Sequence, residues 1–258
     1  MKESKVKQAL KEGKVVIGTM ITEFRTPEII RMMAAAGFDF VFVDTEHSPY
    51  SLETVIDMIR VAKCLDIDVL VRVPDAEYHL IARTLDAGAQ GIMVPRVESV
   101  EQVKRIVDAV KYPPLGRRGF GGRAILTDYR DMPLRERAEK FNQNTVIVLQ
   151  IERKEAIKNI EQLLSIKAVD AALIGPNDLS LSLGVPGEYR HPLMMEAIQK
   201  VVDTCKKLHI ASGIHVRDLE TLFYWKTQGM KMLAYSTDAA LMMSALTDAV
   251  NTLRQRIN

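Results

Sequence analysis

Val146-Ile147-Val148-Leu149-Gln150-Ile151-Glu152 is an apolar, β-branched run that ends in an acid, and Leu173-Ile174-Gly175-Pro176-Asn177-Asp178 repeats the design. The two acids stand 26 residues apart, about one strand plus one helix. Near-continuous apolarity suits a parallel strand covered on both faces. In a closed barrel of parallel strands, consecutive strand ends open on one mouth. The spacing therefore brings both carboxylates to the same place.

Outward from this pair, the same alternation fills the chain. Apolar runs at 15–20, 39–44, 68–73, 91–95, 145–151, 170–174, 210–214 and 231–235 are eight candidate strands. Between them, 26–36, 52–64, 78–87, 100–110 and 154–166 carry apolar residues at helical spacing. Gly37 and Gly88 stand as helix stops. Eight such units in 258 residues, without a linker or low-complexity break, predict an α/β chain folded as a single (β/α)8 TIM barrel over 1–258. The segment 238–258 reads as a long helix with Leu241, Met242, Ala245, Leu246 and Val250 at apolar positions. It either closes the barrel or packs on a neighbouring subunit.

Composition excludes other classes. The formal charge is only +2, with acids and bases interspersed, so neither nucleic acid nor a membrane is the expected partner. No apolar run reaches the ~18 residues that cross a bilayer. Residues 1–14 are charged and helical in pattern, unlike a secretory leader, and a cytoplasmic location is expected. Cys64 and Cys205 lack metal-binding spacing and read as buried structural thiols.

Active sites of such barrels lie at the C-terminal ends of the strands. Glu152 and Asp178 there are candidate ligands for a hard divalent cation, Mg, Mn or Co, with shell positions left for substrate and water. Two unrelated loop acids, with Asp178 capping a helix that starts near Leu179, is the other reading. Arg72 interrupts the apolar Val69-Leu70-Val71-Arg72-Val73, where a guanidinium is costly unless paired. It is either a rim ion pair or a donor to a substrate oxygen that gains negative charge. Gln150 would orient Arg72 or touch the same substrate. His47, beside Asp44 and Glu46, is the acid–base candidate. No candidate strand carries a lysine placed for Schiff-base chemistry, so a metal would have to polarise any carbonyl. The glycine-rich stretch 116–123 contains Arg117, Arg118 and Arg123. It reads as a lid, a subunit contact or an anion-binding loop, and matches no P-loop or dinucleotide fingerprint.

Several segments match one pattern in order: 40–47 (Phe-Val-Phe-Val-Asp-Thr-Glu-His), Val71-Arg72-Val73-Pro74, Leu85-Asp86-Ala87-Gly88-Ala89, Tyr112-Pro113-Pro114 with Arg118-Gly119, Gln150-Ile151-Glu152, and Gly175-Pro176-Asn177-Asp178-Leu179-Ser180. The chain resembles the HpcH/HpaI aldolases, metal-dependent class II enzymes acting on 2-oxo acids. The resemblance implies a metal pair of Glu152 and Asp178, an enolate-holding Arg72, and a substrate-site Gln150. It also implies that His47 and Asp86 form an acid–base pair, although Asp86 by itself reads as an ordinary helix acid. Asn177 replaces a small residue common before the metal aspartate, and His215 stands where the family pattern has an aliphatic residue near the aldehyde. His215 either changes acceptor preference or is a rim residue away from the substrate. The implied activity is reversible cleavage of a 4-hydroxy-2-oxo acid to pyruvate, or a close 2-oxo acid, and an aldehyde. The implied assembly is a homo-oligomer, a hexamer with exchanged C-terminal helices. The alternatives are a citrate-synthase-like condensing enzyme of siderophore biosynthesis and a non-catalytic 2-oxo-acid binding protein.

Overall fold

The computed structural model describes residues 2–121 and 124–257. Eight parallel strands close in sequence order: β1 (Val16–Ile21), β2 (Phe40–Asp44), β3 (Asp68–Arg72), β4 (Gly91–Val94), β5 (Val146–Ile151), β6 (Ala171–Ile174), β7 (Ala211–Val216) and β8 (Met232–Thr237). α1 (Lys5–Lys11) precedes the barrel. The helices α2 (Glu28–Ala35), α3 (Leu52–Lys63), α4 (Tyr78–Asp86), α5 (Val100–Val110), α6 (Leu134–Asn144), α7 (Lys154–Leu164), α8 (Pro176–Ser182), α9 (Pro192–Leu208) and α10 (Leu219–Thr227) connect the strands, and α11 (Asp238–Ile257) follows the last. The (β/α)8 expectation is borne out. No helix among the described residues is long and apolar enough to cross a membrane.

Alternation along each strand divides the core. Phe42, Leu70, Met93, Val148 and Leu173 fill the barrel interior. Ile147, Leu149, Ile174 and Ile214 pack outward against the helices. The interior is tight: a Cβ on Gly18 would stand 2.3 Å from the Phe40 ring. β7 and β8 run two residues past the expected ends, because their tips are polar while the ladder continues through His215↔Ala234 and Val216↔Tyr235.

α1 lies across the end of the barrel where the strands begin. Val6 joins the interior cluster, and the Asp68 carboxylate accepts from Ser4 Oγ at 2.6 Å and Val6 N at 3.0 Å. Lys7 Nζ donates to Thr145 O and to Asp170 Oδ2, and Lys111 Nζ donates to Thr145 O and Asn142 O. These buried lysines lie at the floor, away from the strand tips.

Two expectations need correction. Cys64 is exposed at the C-cap of α3; only Cys205 is buried, and burial pushes its thiol up to about 12. Arg118 is not a surface anion ligand. Its fully buried side chain meets Asp86 Oδ1 at 2.5 Å and stacks 4.9 Å from the Tyr112 ring centroid. Gly122 and Arg123 lie outside the described residues.

Candidate active site

Strand parity builds the mouth. Phe42, Leu70 and Val148 point inward, so Asp44, Arg72 and Gln150, two residues further along, project inward one layer nearer the opening. Asp44 and Arg72 are register partners at the ends of β2 and β3. Arg72 Nε and Nη2 donate to the two Asp44 oxygens at 2.8 Å each, a bidentate fork. Burial pushes the Asp44 carboxyl up, but the Arg72 hydrogen bonds and charge, with the Glu46 and His47 N–H groups, outweigh it and hold the carboxyl below its ordinary value. Arg72 has five N–H donors, and Asp44 engages two. Arg72 Nη1 lies 3.4 Å from Glu46 Oε2. Asp44 therefore orients Arg72, the role considered above for Gln150.

Gln150 instead donates to Glu152 Oε2, while its own Oε1 is buried without a hydrogen-bond partner. Glu152 is 2 % exposed and accepts from Arg96 N at 2.8 Å. Arg96 holds a left-handed φ of 53°, and this conformation accompanies an N–H turned onto Glu152. Burial pushes the Glu152 carboxyl up; Arg96 and Gln150 oppose that, and the charges of Asp178 and Glu46 add to it. Gly175 makes the space, since a Cβ there would stand 2.7 Å from Glu152 Oε2. Asp178 is in the first turn of α8, whose N-cap is Gly175. The reading of Asp178 as a cap before Leu179 is thus corrected. Among the described residues no cluster of three or more His, Cys, Asp or Glu side chains could hold a metal. The pair Glu152 and Asp178, with the unpartnered Gln150 oxygen beside them, fits a cation that completes its shell with substrate and water.

His47 is exposed at the same mouth, its Nε2 3.7 Å from Glu46 Oε2. The Glu46 carboxyl is pushed up by burial, which outweighs Arg72, His47 and Arg96. Asp86 is not brought to His47 within the chain. It ends α4, at the floor side of the barrel, and pairs with Arg118. Asn177 is exposed, and its Oδ1 accepts from Tyr189 OH at 2.6 Å. His215 points inward from β7, with Nε2 2.8 Å from Ser236 O. The sequence reading underused Asp44 and Glu46. The signal for Asp44 was an acid ending the strand next to the one that ends in Arg72.

A family model described as HpcH/HpaI aldolase/citrate lyase matches residues 20–245. The chain belongs to this family. It is 32 % identical over 243 residues to the hydroxypyruvate/pyruvate aldolase of Sagittula stellata, covering 94 % of this chain and 95 % of that one. It is 30 % identical to the 4-hydroxy-2-oxo-heptane-1,7-dioate aldolase of Shigella sonnei, covering 94 % and 92 %. The crystal structure of an HpcH/HpaI aldolase from Desulfitobacterium hafniense superposes with a TM-score of 0.92 at 35 % identity, over 96 % of each chain. The citrate synthase SbnG gives 0.86 at 29 %, over 97 % of each. The family resemblance and the aldolase reading are borne out: this is an aldolase, a carbon–carbon lyase.

Proposed function

We propose that the mouth reversibly cleaves a 4-hydroxy-2-oxo acid to pyruvate, or a close 2-oxo acid, and an aldehyde. The observation that carries this reading is Arg72: its guanidinium is buried, anchored by Asp44 and left with donors beyond that fork. Those N–H groups suit the substrate oxygen on which enolate charge develops. Glu152 and Asp178 are the residues that would hold a divalent cation, Mg, Mn or Co. When bound there, such an ion polarises the 2-oxo group and lowers the cost of the negative charge formed beside it.

The remaining steps belong to side chains. Gln150 holds Glu152 through its amide N–H and offers Oε1 to a substrate or water donor. Asn177 belongs to the substrate rim next to Asp178. His47, with Glu46 behind it, takes the proton of the 4-hydroxyl, directly or through a water. The C3–C4 bond then breaks, its electron pair enters the 2-oxo acid as an enolate, and protonation of the methylene gives pyruvate.

A role for Asp86 beside His47 requires a second copy of the chain. Exchange of α11 in a homo-oligomer, with a hexamer as the family expectation, is supported by an apolar face without cover. Met243, Leu246, Leu253 and Ile257 are exposed on α11, and Ile17 is 47 % exposed on the outer face of β1. Apolar surface of this kind marks an interaction site.

The test is pyruvate release from 4-hydroxy-2-oxopentanoate by chelator-stripped protein before and after adding Mg, Mn or Co. Metal-restored release is expected; no release with any of the three from folded protein contradicts the reading. The condensing alternative draws on the likeness to the citrate synthase SbnG, at lower identity than the aldolase structure. Turnover of oxaloacetate with an acyl-CoA, and none of the hydroxy acid, would favour it.

A further inference from the structure

His215 is the mouth residue whose chemistry the cleavage steps above leave unused. Its neighbours Ile214 and Val216 pack outward, so its ring stands on the inner face at the end of β7. Nε2 lies 2.8 Å from the carbonyl oxygen of Ser236. A carbonyl only accepts, so the hydrogen in this contact belongs to Nε2. The carbonyl is itself held: Ser236 adopts a left-handed φ of 58°, and Thr19 Oγ1 donates to the same oxygen at 3.2 Å. Burial, reinforced by the Arg72 and Arg217 charges, pushes the imidazole below its ordinary value, against the Ser236 contact and Asp44. The ring is therefore neutral near pH 7, with a lone pair on Nδ1.

The place of this lone pair relative to the substrate follows from strand order. Arg72 ends β3, Gln150 is the penultimate residue of β5 with Glu152 just past its end, and Asp178 follows β6. If these groups hold the 2-oxo acid end, as the proposed function has it, the remaining arc of β7, β8, β1 and β2, with His47 past the end of β2, flanks the aldehyde-derived half. We propose that His215 is a specificity-determining residue, its Nδ1 accepting a hydrogen bond from a hydroxyl on the aldehyde-derived half, so that hydroxyaldehydes are preferred over their deoxy counterparts. This rests on the aldolase reading of the mouth.

The experiment compares glycolaldehyde with acetaldehyde as acceptors for pyruvate in the metal-loaded wild type, His215→Leu and His215→Asn. One hydrogen bond predicts about a tenfold preference in kcat/KM for glycolaldehyde in the wild type, lost in His215→Leu. Part of it returns in His215→Asn, whose amide oxygen can stand near the place of Nδ1. Pyruvate methyl exchange should persist in both variants. A wild type that does not prefer glycolaldehyde, or a preference unchanged in His215→Leu with exchange intact, overturns the proposal alone. Absent exchange in the wild type removes the enolate reading and this proposal with it. Independently of any variant's folding, a spectrum of 15N-histidine-labelled wild type should show His215 protonated on Nε2 and bare on Nδ1 at pH 7. A proton on Nδ1 overturns the assignment.

Discussion

At the floor of the barrel the buried charges are tied to one another and to the backbone. Lys7 reaches Asp170 and the Thr145 carbonyl, Lys111 reaches Thr145 and Asn142, and Asp68 takes hydrogen bonds from the start of the chain on Oδ2. Its Oδ1, without a hydrogen bond among the described residues, is held by the Lys2 ammonium at 3.6 Å. At the mouth the charges are held with capacity to spare. Arg72 is fixed by Asp44 yet keeps further N–H groups, Glu152 is fixed by Arg96 and Gln150 beside a second carboxylate, and Gln150 Oε1 has no partner. A buried polar group without a partner costs stability. The floor therefore spends its charge on closing the barrel, and the mouth keeps its charge available to a ligand.

Substitutions at the two ends should separate along that line. Glu152→Gln should abolish metal-dependent turnover while the melting temperature holds or rises, since burial already disfavours the ionised carboxyl. Turnover near wild type would break the contrast. Arg72→Lys keeps the charge but not the planar fork, and should lower kcat/KM by ~10²- to 10³-fold. A loss under about tenfold would make Arg72 a rim ion pair only. At the floor, Asp170→Ala should cost about 3 kcal/mol in denaturant unfolding by stranding Lys7, with kcat/KM nearly unchanged. A catalytic defect without a stability loss would place function at the wrong end.

The smallest effect is a slope. Burial, with the charge of Lys7, pushes Lys111 down to about 7, whereas an unfolded lysine titrates at about 10.4. Between those values the unfolded chain binds the extra proton, so stability should rise with pH from about 7 towards 10. Lys111→Met should flatten that rise in unfolding free energies measured across the window. An equally steep rise in the variant would assign it elsewhere.

Much of this contrast was legible in the sequence. Apolar runs marked all eight strands because parallel strands are covered on both faces. Acid-tipped ends located Glu152 and Asp178, and Arg72 stood out as a charge in an apolar run. Asp44 as its anchor depended on register, and the Arg96–Glu152 contact on a left-handed backbone that no periodicity signals. Asp86 could not be placed from local pattern, since whether a helix acid meets His47 depends on which end of the barrel it reaches. Cys64 looked buried because the helical pattern 52–64 runs through it, whereas the helix ends at Lys63 and leaves Cys64 as an exposed C-cap.

The most direct test of the mouth as an enolate site is proton–deuterium exchange at the pyruvate methyl group, followed by NMR, in metal-stripped and metal-loaded wild type and in Arg72→Ala. The account predicts exchange only with the divalent cation and its loss in Arg72→Ala. Folded wild type that exchanges with none of Mg, Mn or Co, or an Arg72→Ala variant that exchanges as fast as wild type, would contradict it.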